Sequence, residues 1–198
     1  MAKIKKSTDT AKRILEISEK LFAEKGFDAT GIEAIAREVG ISKSVIYYYF
    51  KNKREILAIL IQNSCKEILQ ILAREDPVEL LKTPESYLTK IYNYWLSRIS
   101  IAKIIIAESL KRQTGDIPLI AYWDELFQLN QSYTEGRNHQ VESVMFFLSF
   151  LPTITYAVFL NDWCKHYGLN QDEYRILIRQ QLTKASTQYL LSVIEKNH

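Results

Sequence analysis

At 198 residues the chain can bury one substantial core, or pair a small module with a larger one, without disulfide or metal staples. Lysine and arginine number 26 against 23 aspartates and glutamates, and this net +3 does not by itself argue for a polyanionic partner. Two distant cysteines, Cys65 and Cys164, lack CxxC spacing, which excludes a disulfide framework and a cysteine zinc motif and fits a reducing cytoplasm.

The charge is unevenly spread. Residues 1–75 carry 14 basic and 10 acidic side chains, a net of +4, and the remainder is close to neutral. The opening MAKIKKSTDT is basic but polar, so no secretory signal is expected.

Six glycines and four prolines punctuate the sequence, and apolar residues recur at three-to-four spacing, so the fold class is all-α. The first helix is predicted over 8–25, with Ala11, Ile14, Leu15, Ser18, Leu21 and Phe22 on one face and Gly26 as its left-handed cap. Thr30-Gly31-Ile32-Glu33 reads as a capping box opening a short helix to Val39. Gly40-Ile41-Ser42 supplies a turn, and Ser42 caps a third helix that runs to about Tyr49. Asn52 with Glu55 opens a long fourth helix, expected to reach Arg74 before Asp76-Pro77 stops it. Further helices are predicted near 84–98, 101–113, 117–134, 138–166 and 171–196, with breaks at Thr83-Pro84, Gly115-Asp116, Gly136 and Gly168-Leu169-Asn170. The chain thus divides into a compact helical module over 1–52 and a longer helical region over 53–198, joined by the helix of about 53–74.

Val144 to Leu160, VMFFLSFLPTITYAVFL, is apolar enough to raise the question of a membrane span. Pro152, Ser149, Thr153 and Thr155 dilute it and Glu142 and Asp162 flank it, so a soluble helix buried on nearly every side is the preferred reading.

Two short helices joined by a glycine turn let one helix brace on the DNA backbone while the other enters the major groove. In the segment SKSVIYYYF, Val45, Ile46 and Phe50 suit the core, leaving Lys43, Ser44, Tyr47, Tyr48 and Tyr49 to face outward. Lysine reaches guanine acceptors or phosphate, serine bonds either, and tyrosine offers a hydroxyl to phosphate and a ring to sugar or thymine methyl. Lys53, at the positive end of the fourth helix, reads as a phosphate clamp. Taken singly these features have plainer explanations, since tyrosines often pack, lysines are usually solvated and a Thr-x-x-Glu box merely starts a helix. Their order along one module favours DNA.

At Gly26-Phe27-Asp28-Ala29-Thr30, Ile35-Ala36, Val39-Gly40-Ile41-Ser42-Lys43, Ile46-Tyr47-Tyr48-Tyr49-Phe50 and Lys51-Asn52-Lys53-Arg54-Glu55-Ile56-Leu57 the sequence resembles the TetR family of transcriptional regulators. The likeness covers about residues 8 to 60. It implies that Thr30, Ser42, Tyr47 and Lys53 contact phosphates and that Lys43, Ser44 and Tyr48 reach bases; Ser44 departs from the glycine often found there. It also implies a homodimeric repressor, released from a palindromic operator in double-stranded DNA by a small-molecule effector.

For the second half, Tyr92, Trp95, Trp123, Phe127, Phe147 and Tyr156 are candidates to line a cavity for an apolar or aromatic effector, although aromatics on amphipathic helices also serve as plain core. The last two helices are the expected dimer surface, with Tyr174, Leu177, Ile178, Leu182, Ala185, Tyr189 and Val193 forming a stripe on the final one. Cys164 and His166 lie two apart on a helix and do not face each other, so neither catalysis nor metal binding is expected there. Two other readings stand beside regulation. An all-helical enzyme lacks support from any GxSxG, HExxH, P-loop or dinucleotide motif, so no catalytic residue and no cofactor is expected. An architectural DNA binder would need no effector.

Overall fold

The computed structural model describes residues 2–72, 84–111, 117–129 and 139–196, with 2–8, 72, 84–85, 87, 127–129, 141 and 189–196 described in backbone only, Phe127, Tyr189 and Val193 among them. Among the described residues all regular structure is helical. The order is α1 (Ala2–Lys25), α2 (Ile32–Val39), α3 (Lys43–Tyr49), α4 (Lys53–Leu72), α5 (Pro84–Ser97), α6 (Ile99–Leu110), α7 (Pro118–Leu129), α8 (His139–Met145), a π turn (Phe146–Phe150), α9 (Leu151–Tyr167) and α10 (Gln171–Lys196). The expected breaks at Asp76-Pro77, Thr83, Gly115-Asp116 and Gly136 lie outside the described residues.

The first helix buries Ile14, Ser18, Leu21 and Phe22, one stripe at helical spacing, against α2, α4 and α6. It begins upstream of the expected Thr8, because nothing in AKIKKST breaks a helix. Gly26 ends it at φ 85°, and its amide bonds the Phe22 carbonyl at 3.0 Å.

The capping box expected at Thr30 does not form. Gly31 occupies the N-cap, its carbonyl receiving the amides of Ala34 and Ile35, and no side chain caps α2. Thr30 is wholly buried instead, its hydroxyl directed at the carbonyls of Gly26 (2.8 Å) and Leu21 (3.2 Å) at the end of α1. The reason is competition: a helix C-terminus leaves carbonyls in need of donors, and the Thr30 hydroxyl answers these instead of an amide of α2. At α4 the expected cap is present, with Asn52 Oδ1 accepting from the Glu55 amide at 3.0 Å and the Glu55 carboxylate receiving the Lys51 amide.

Helix α4 runs between the two parts of the chain, burying Ile56, Leu60, Ser64, Cys65 and Ile68 against α1, α5, α6 and α7. In this apolar setting the Ser64 hydroxyl lies 2.7 Å from the Tyr94 hydroxyl and 3.1 Å from that of Tyr122, so the buried polar atoms satisfy one another. Burial pushes both tyrosines upward from the ordinary phenol range, and the Cys65 thiol to about 12. Nearby, Arg98 joins three elements: its guanidinium lies 3.4 Å from Glu19 of α1 and 3.1 Å from Glu67 of α4.

From His139 to Tyr167 the chain is helical but not uniformly so. Pro152 carries no amide hydrogen for the Leu148 carbonyl, and the π turn just before it absorbs the mismatch, the Leu151 amide bonding Phe146 five residues back. Burial on nearly every side, expected for this stretch, is not observed. Within Glu142–Tyr167 an 18-residue window reaches a mean hydropathy of 1.8 yet is only 33% buried, because only one face meets α5, α6 and α10. Phe159, Trp163 and Tyr167 stand exposed on it, joined on α10 by Ile176 and Leu177.

Candidate nucleic-acid interface

The turn between α2 and α3 is built by backbone geometry. Gly40 adopts φ 79°, ψ 36°, where its amide bonds the carbonyls of Ala36 and Arg37 and the Ile41 amide reaches back to Ala36 at 3.0 Å. An L side chain is strained in that left-handed region, so glycine is the residue that lets the two helices turn sharply. Ile41 packs on the core, and Ser42, extended at φ −78°, starts α3 through its carbonyl. Its hydroxyl does not cap the helix as expected; it lies 2.7 Å from the hydroxyl of Ser44.

Helix α3 divides cleanly. Ile46 is wholly buried and Phe50 nearly so, whereas Ser42, Lys43, Ser44, Tyr47 (53% exposed) and Tyr48 (80% exposed) share its outer side. Two rings as exposed as these leave apolar surface in water that a groove can bury. Tyr49, expected to face outward, is half-buried, its ring 5.0 Å from Tyr48 and 6.4 Å from Phe50, so it buttresses the exposed tyrosine. Lys43 is exposed and forms an ion pair with Glu33 across the two helices. The Lys43 ammonium, by its hydrogen bond, holds the Glu33 carboxyl below the usual carboxylate range.

Lys53 differs most from expectation. Its ammonium points back into the module, donating to the carbonyls of Phe27 (2.7 Å), Asp28 (3.2 Å) and Thr30 (3.2 Å), and lies 4.4 Å from the centre of the Phe27 ring. With Thr30 it fastens the segment between α1 and α2. The neighbouring cations Lys51 and Arg54 are exposed. Sequence reasoning passed over both; Lys51 precedes α4, and Arg54 is turned by about 100° from Lys53 around it.

In the second half, Tyr92 and Trp95 are buried in the core, Trp95 packed between Tyr94, Tyr122 and Phe150 at centroid distances of 5.4, 5.5 and 6.0 Å. Tyr156 is half-buried, its hydroxyl donating to the Arg175 carbonyl at 3.1 Å and its ring meeting Tyr92 edge-on. A cavity of about 360 Å³ opens between α7 and α8, lined by Ile120, Trp123, Asp124, His139, Glu142, Ser143, Phe146 and Phe147. It brings together Trp123 and Phe147 of the six sequence candidates and excludes Tyr92, Trp95 and Tyr156; the Phe127 side chain lies outside the described residues. Asp124, His139 and Glu142 had no signal in the sequence beyond flanking apolar runs.

Residues 14–60 match the model of the bacterial regulatory proteins of the tetR family. Over 77 residues the chain is 43% identical to the uncharacterised HTH-type transcriptional regulator YerO of Bacillus subtilis, covering 35% of this chain and 27% of that protein. Over 62 residues it is 34% identical to IcaR of Staphylococcus epidermidis, the negative transcriptional regulator of a biofilm operon, covering 31% of this chain and 34% of the relative. The chain thus spans about a third or less of the length of these curated relatives. The structure of GusR from Salmonella enterica superposes with a TM-score of 0.61 at 17% identity, over 89% of this chain and 95% of that one, which establishes a shared fold. Residues 14–60 thus carry a helix-turn-helix of the kind found in bacterial regulatory proteins of the tetR family, and the helices behind it share the fold of GusR.

Proposed function

We propose that this protein is a cytoplasmic, non-enzymatic transcriptional repressor that grips a palindromic operator as a homodimer and is released by a small molecule. The observation that carries the reading is the division of α3, where a wholly buried Ile46 backs an exposed row of Ser42, Lys43, Ser44, Tyr47 and Tyr48. In this reading Lys43, Ser44 and Tyr48 reach base edges while Ser42 and Tyr47 hold phosphates. Thr30, Tyr49 and Lys53 support them from behind, and the domain boundary falls at the start of α4, near residue 52.

Dimerisation supports the same function, because a recognition helix of two turns offers too few contacts alone and a symmetric pair reads two half-sites. The exposed row Phe159, Trp163 and Tyr167 on α9, with Ile176 and Leu177 on α10, is the surface assigned to the partner copy. Leu182 and Ile178 of the expected stripe are half-buried within the chain, so the apolar contact shifts toward Leu177 and the neighbouring α9. The cavity between α7 and α8 is the effector site of this reading. Trp123 on its wall meets Phe150, which packs against Trp95 and Tyr122, and the Tyr122 hydroxyl lies 3.1 Å from Ser64 of α4. A shift at the cavity therefore has a packed route to the helix that carries the DNA module.

The test is selection of palindromic duplexes from a random pool, followed by titration of the selected duplex. Dimeric binding that weakens with salt is expected, with Tyr48→Ala losing about tenfold or more and Lys43→Ala changing the preferred base at one position. Equal affinity of the protein and both variants for selected and random duplexes overturns it.

A further inference from the structure

We propose, on the reading of α3 as the helix that enters the major groove, that the basic first turns of α1 are a second DNA contact, in which Lys5, Lys6, Lys12 and Arg13 meet backbone phosphates flanking the bases that α3 reads.

Phosphate neutralisation supplies much of a protein's affinity for duplex DNA, so a DNA-binding module needs cations free to meet the backbone. The helix-turn-helix has few to spare. Residues 14–75 carry nine basic and nine acidic side chains, so the net +4 of the N-terminal third lies wholly in residues 1–13, where Lys3, Lys5, Lys6, Lys12 and Arg13 accompany a single acid, Asp9. Within the module Lys43 pairs with Glu33, Lys20 lies 3.9 Å from Glu38, and Lys53 is turned inward onto three backbone carbonyls. Lys12 and Arg13, by contrast, are exposed. Lys12 meets Glu16 at 3.7 Å across one turn of helix, a pair open to water, and Arg13 forms no ion pair among the described residues.

These cations also lie toward the reading helix. The turn over 26–31 brings the chain back so that α2 runs against the direction of α1: Thr30 meets the end of α1, and Lys20 meets Glu38 in the last turn of α2. Arg13 stands seven residues before Lys20, and Lys6 seven before Arg13, so the three positions share one edge of α1. Arg13 is thus about 10 Å beyond Glu38 along α1, past the end of α2 at Val39 and toward the turn from which α3 starts, and position 6 is about 10 Å further. At about 100° per residue, positions 5, 6, 12 and 13 fall within a sector of roughly 120°, on the side of α1 away from the buried Ile14 and Ser18.

The same turns run against the local preference of a helix. The first turn of α1 holds no acid, and its lysines stand at the positive end of the helix dipole, which disfavours cations. Phosphates beside that end reverse the balance, since they attract the lysines and the unbonded amides together.

Salt titrations of the full-length protein test the contact, on the selected palindromic duplex with its flanks retained and on a random duplex of equal length. The fourfold variant Lys5→Gln, Lys6→Gln, Lys12→Gln, Arg13→Gln removes the charges and keeps good helix formers. It is expected to flatten the slope of log affinity against log salt by about three to four units, at roughly 0.9 per phosphate contact, and to weaken binding to both duplexes alike by about a hundredfold or more at about 0.1 M salt. Should the fourfold variant lose helicity, Arg13→Gln alone is expected to flatten the slope by about one unit. A folded variant that keeps the parent's slope, or one that loses affinity for the selected duplex only, overturns the proposal. Tyr48→Ala, measured alongside, is expected to keep the parent's slope and lose the preference for the selected duplex. If Tyr48→Ala retains that preference while the α1 variants flatten the slope, the role of α3 falls and the contact through α1 stands.

Discussion

The Lys111 ammonium, just past α6, lies 2.6 Å from the Asp28 carboxylate in the turn between α1 and α2, although the two residues are 83 apart in sequence. Lys111 also holds Glu108 at 2.5 Å, so one cation ties the C-terminal end of α6 to the base of the DNA module. The hydrogen bond from Lys111 keeps the Asp28 carboxyl below the usual range. A depressed folded pKa contributes stability that is present above the unfolded value, near 3.8, and is lost as pH falls through the folded value. Asp28→Asn is therefore expected to lower the melting temperature at about pH 7 and to melt like the parent protein at about pH 2. Calorimetric scans at the two pH values decide it, and an equal deficit at both would mean that the pair contributes nothing through its charge.

Arg98 carries a prediction of opposite sign. Burial raises the Glu19 carboxyl above its usual range, and Arg98 opposes that rise. Arg98→Met leaves Glu19 buried without its cation, so its folded pKa climbs further, and stability is lost as pH rises from the unfolded value, near 4.5, through the folded one. The variant is expected to be destabilised by roughly 1–3 kcal/mol at neutral pH, a range discounted for the partial exposure of the pair. The deficit should shrink near pH 4, where Glu19 is protonated; urea melts across this range would reveal a flat deficit if the reasoning fails.

Lys53 separates structural from DNA-contacting cations. Lys53→Met strips three carbonyls of their donor and should lower stability by about 1–3 kcal/mol, while the slope of log affinity against log salt stays as it was. Arg54→Ala, at an exposed position, should leave stability unchanged and flatten the slope by about one unit. If the two variants exchange these behaviours, Lys53 is a phosphate contact after all.

The dimer surface is tested at a residue that a single chain leaves exposed. Phe159→Arg should fold with unaltered helicity, because the side chain is 55% exposed, yet sediment as a monomer and lose tight operator binding. A variant that remains dimeric moves the interface elsewhere on the molecule.

Much of the fold was legible because helices leave periodic traces. Ile14, Leu21 and Phe22, or Ile56, Leu60 and Ile68, announce their buried faces through spacing alone, and the Asn52 cap acts within three residues of itself. What was illegible depends on partners far along the chain. The pattern Thr30-x-x-Glu33 fits a capping box equally well whether or not carbonyls of α1 compete for the hydroxyl. Lys53 finds acceptors 23 to 26 residues upstream, which no local pattern encodes. In the cavity, Glu142 and Asp124 look like ordinary polar flanks until α7 and α8 are brought together, and Tyr92 and Trp95 look like cavity lining until the core closes over them.

The π turn at Phe146–Phe150 has a consequence for how the last half of the molecule is geared. A π turn amounts to one residue inserted into an α-helix, and each residue of an α-helix turns it by about 100°. Upstream of the insertion the helix lines the cavity with His139, Glu142 and Ser143; downstream it carries Phe159, Trp163 and Tyr167 on its outer side. The two faces are thus set in phase by a single extra residue, as a keyed shaft sets two cams. Removing Leu148 would misalign the molecule, since a cavity in register would force the outward row to rotate by roughly a quarter turn, and an outward row in register would swing Glu142 away from Trp123.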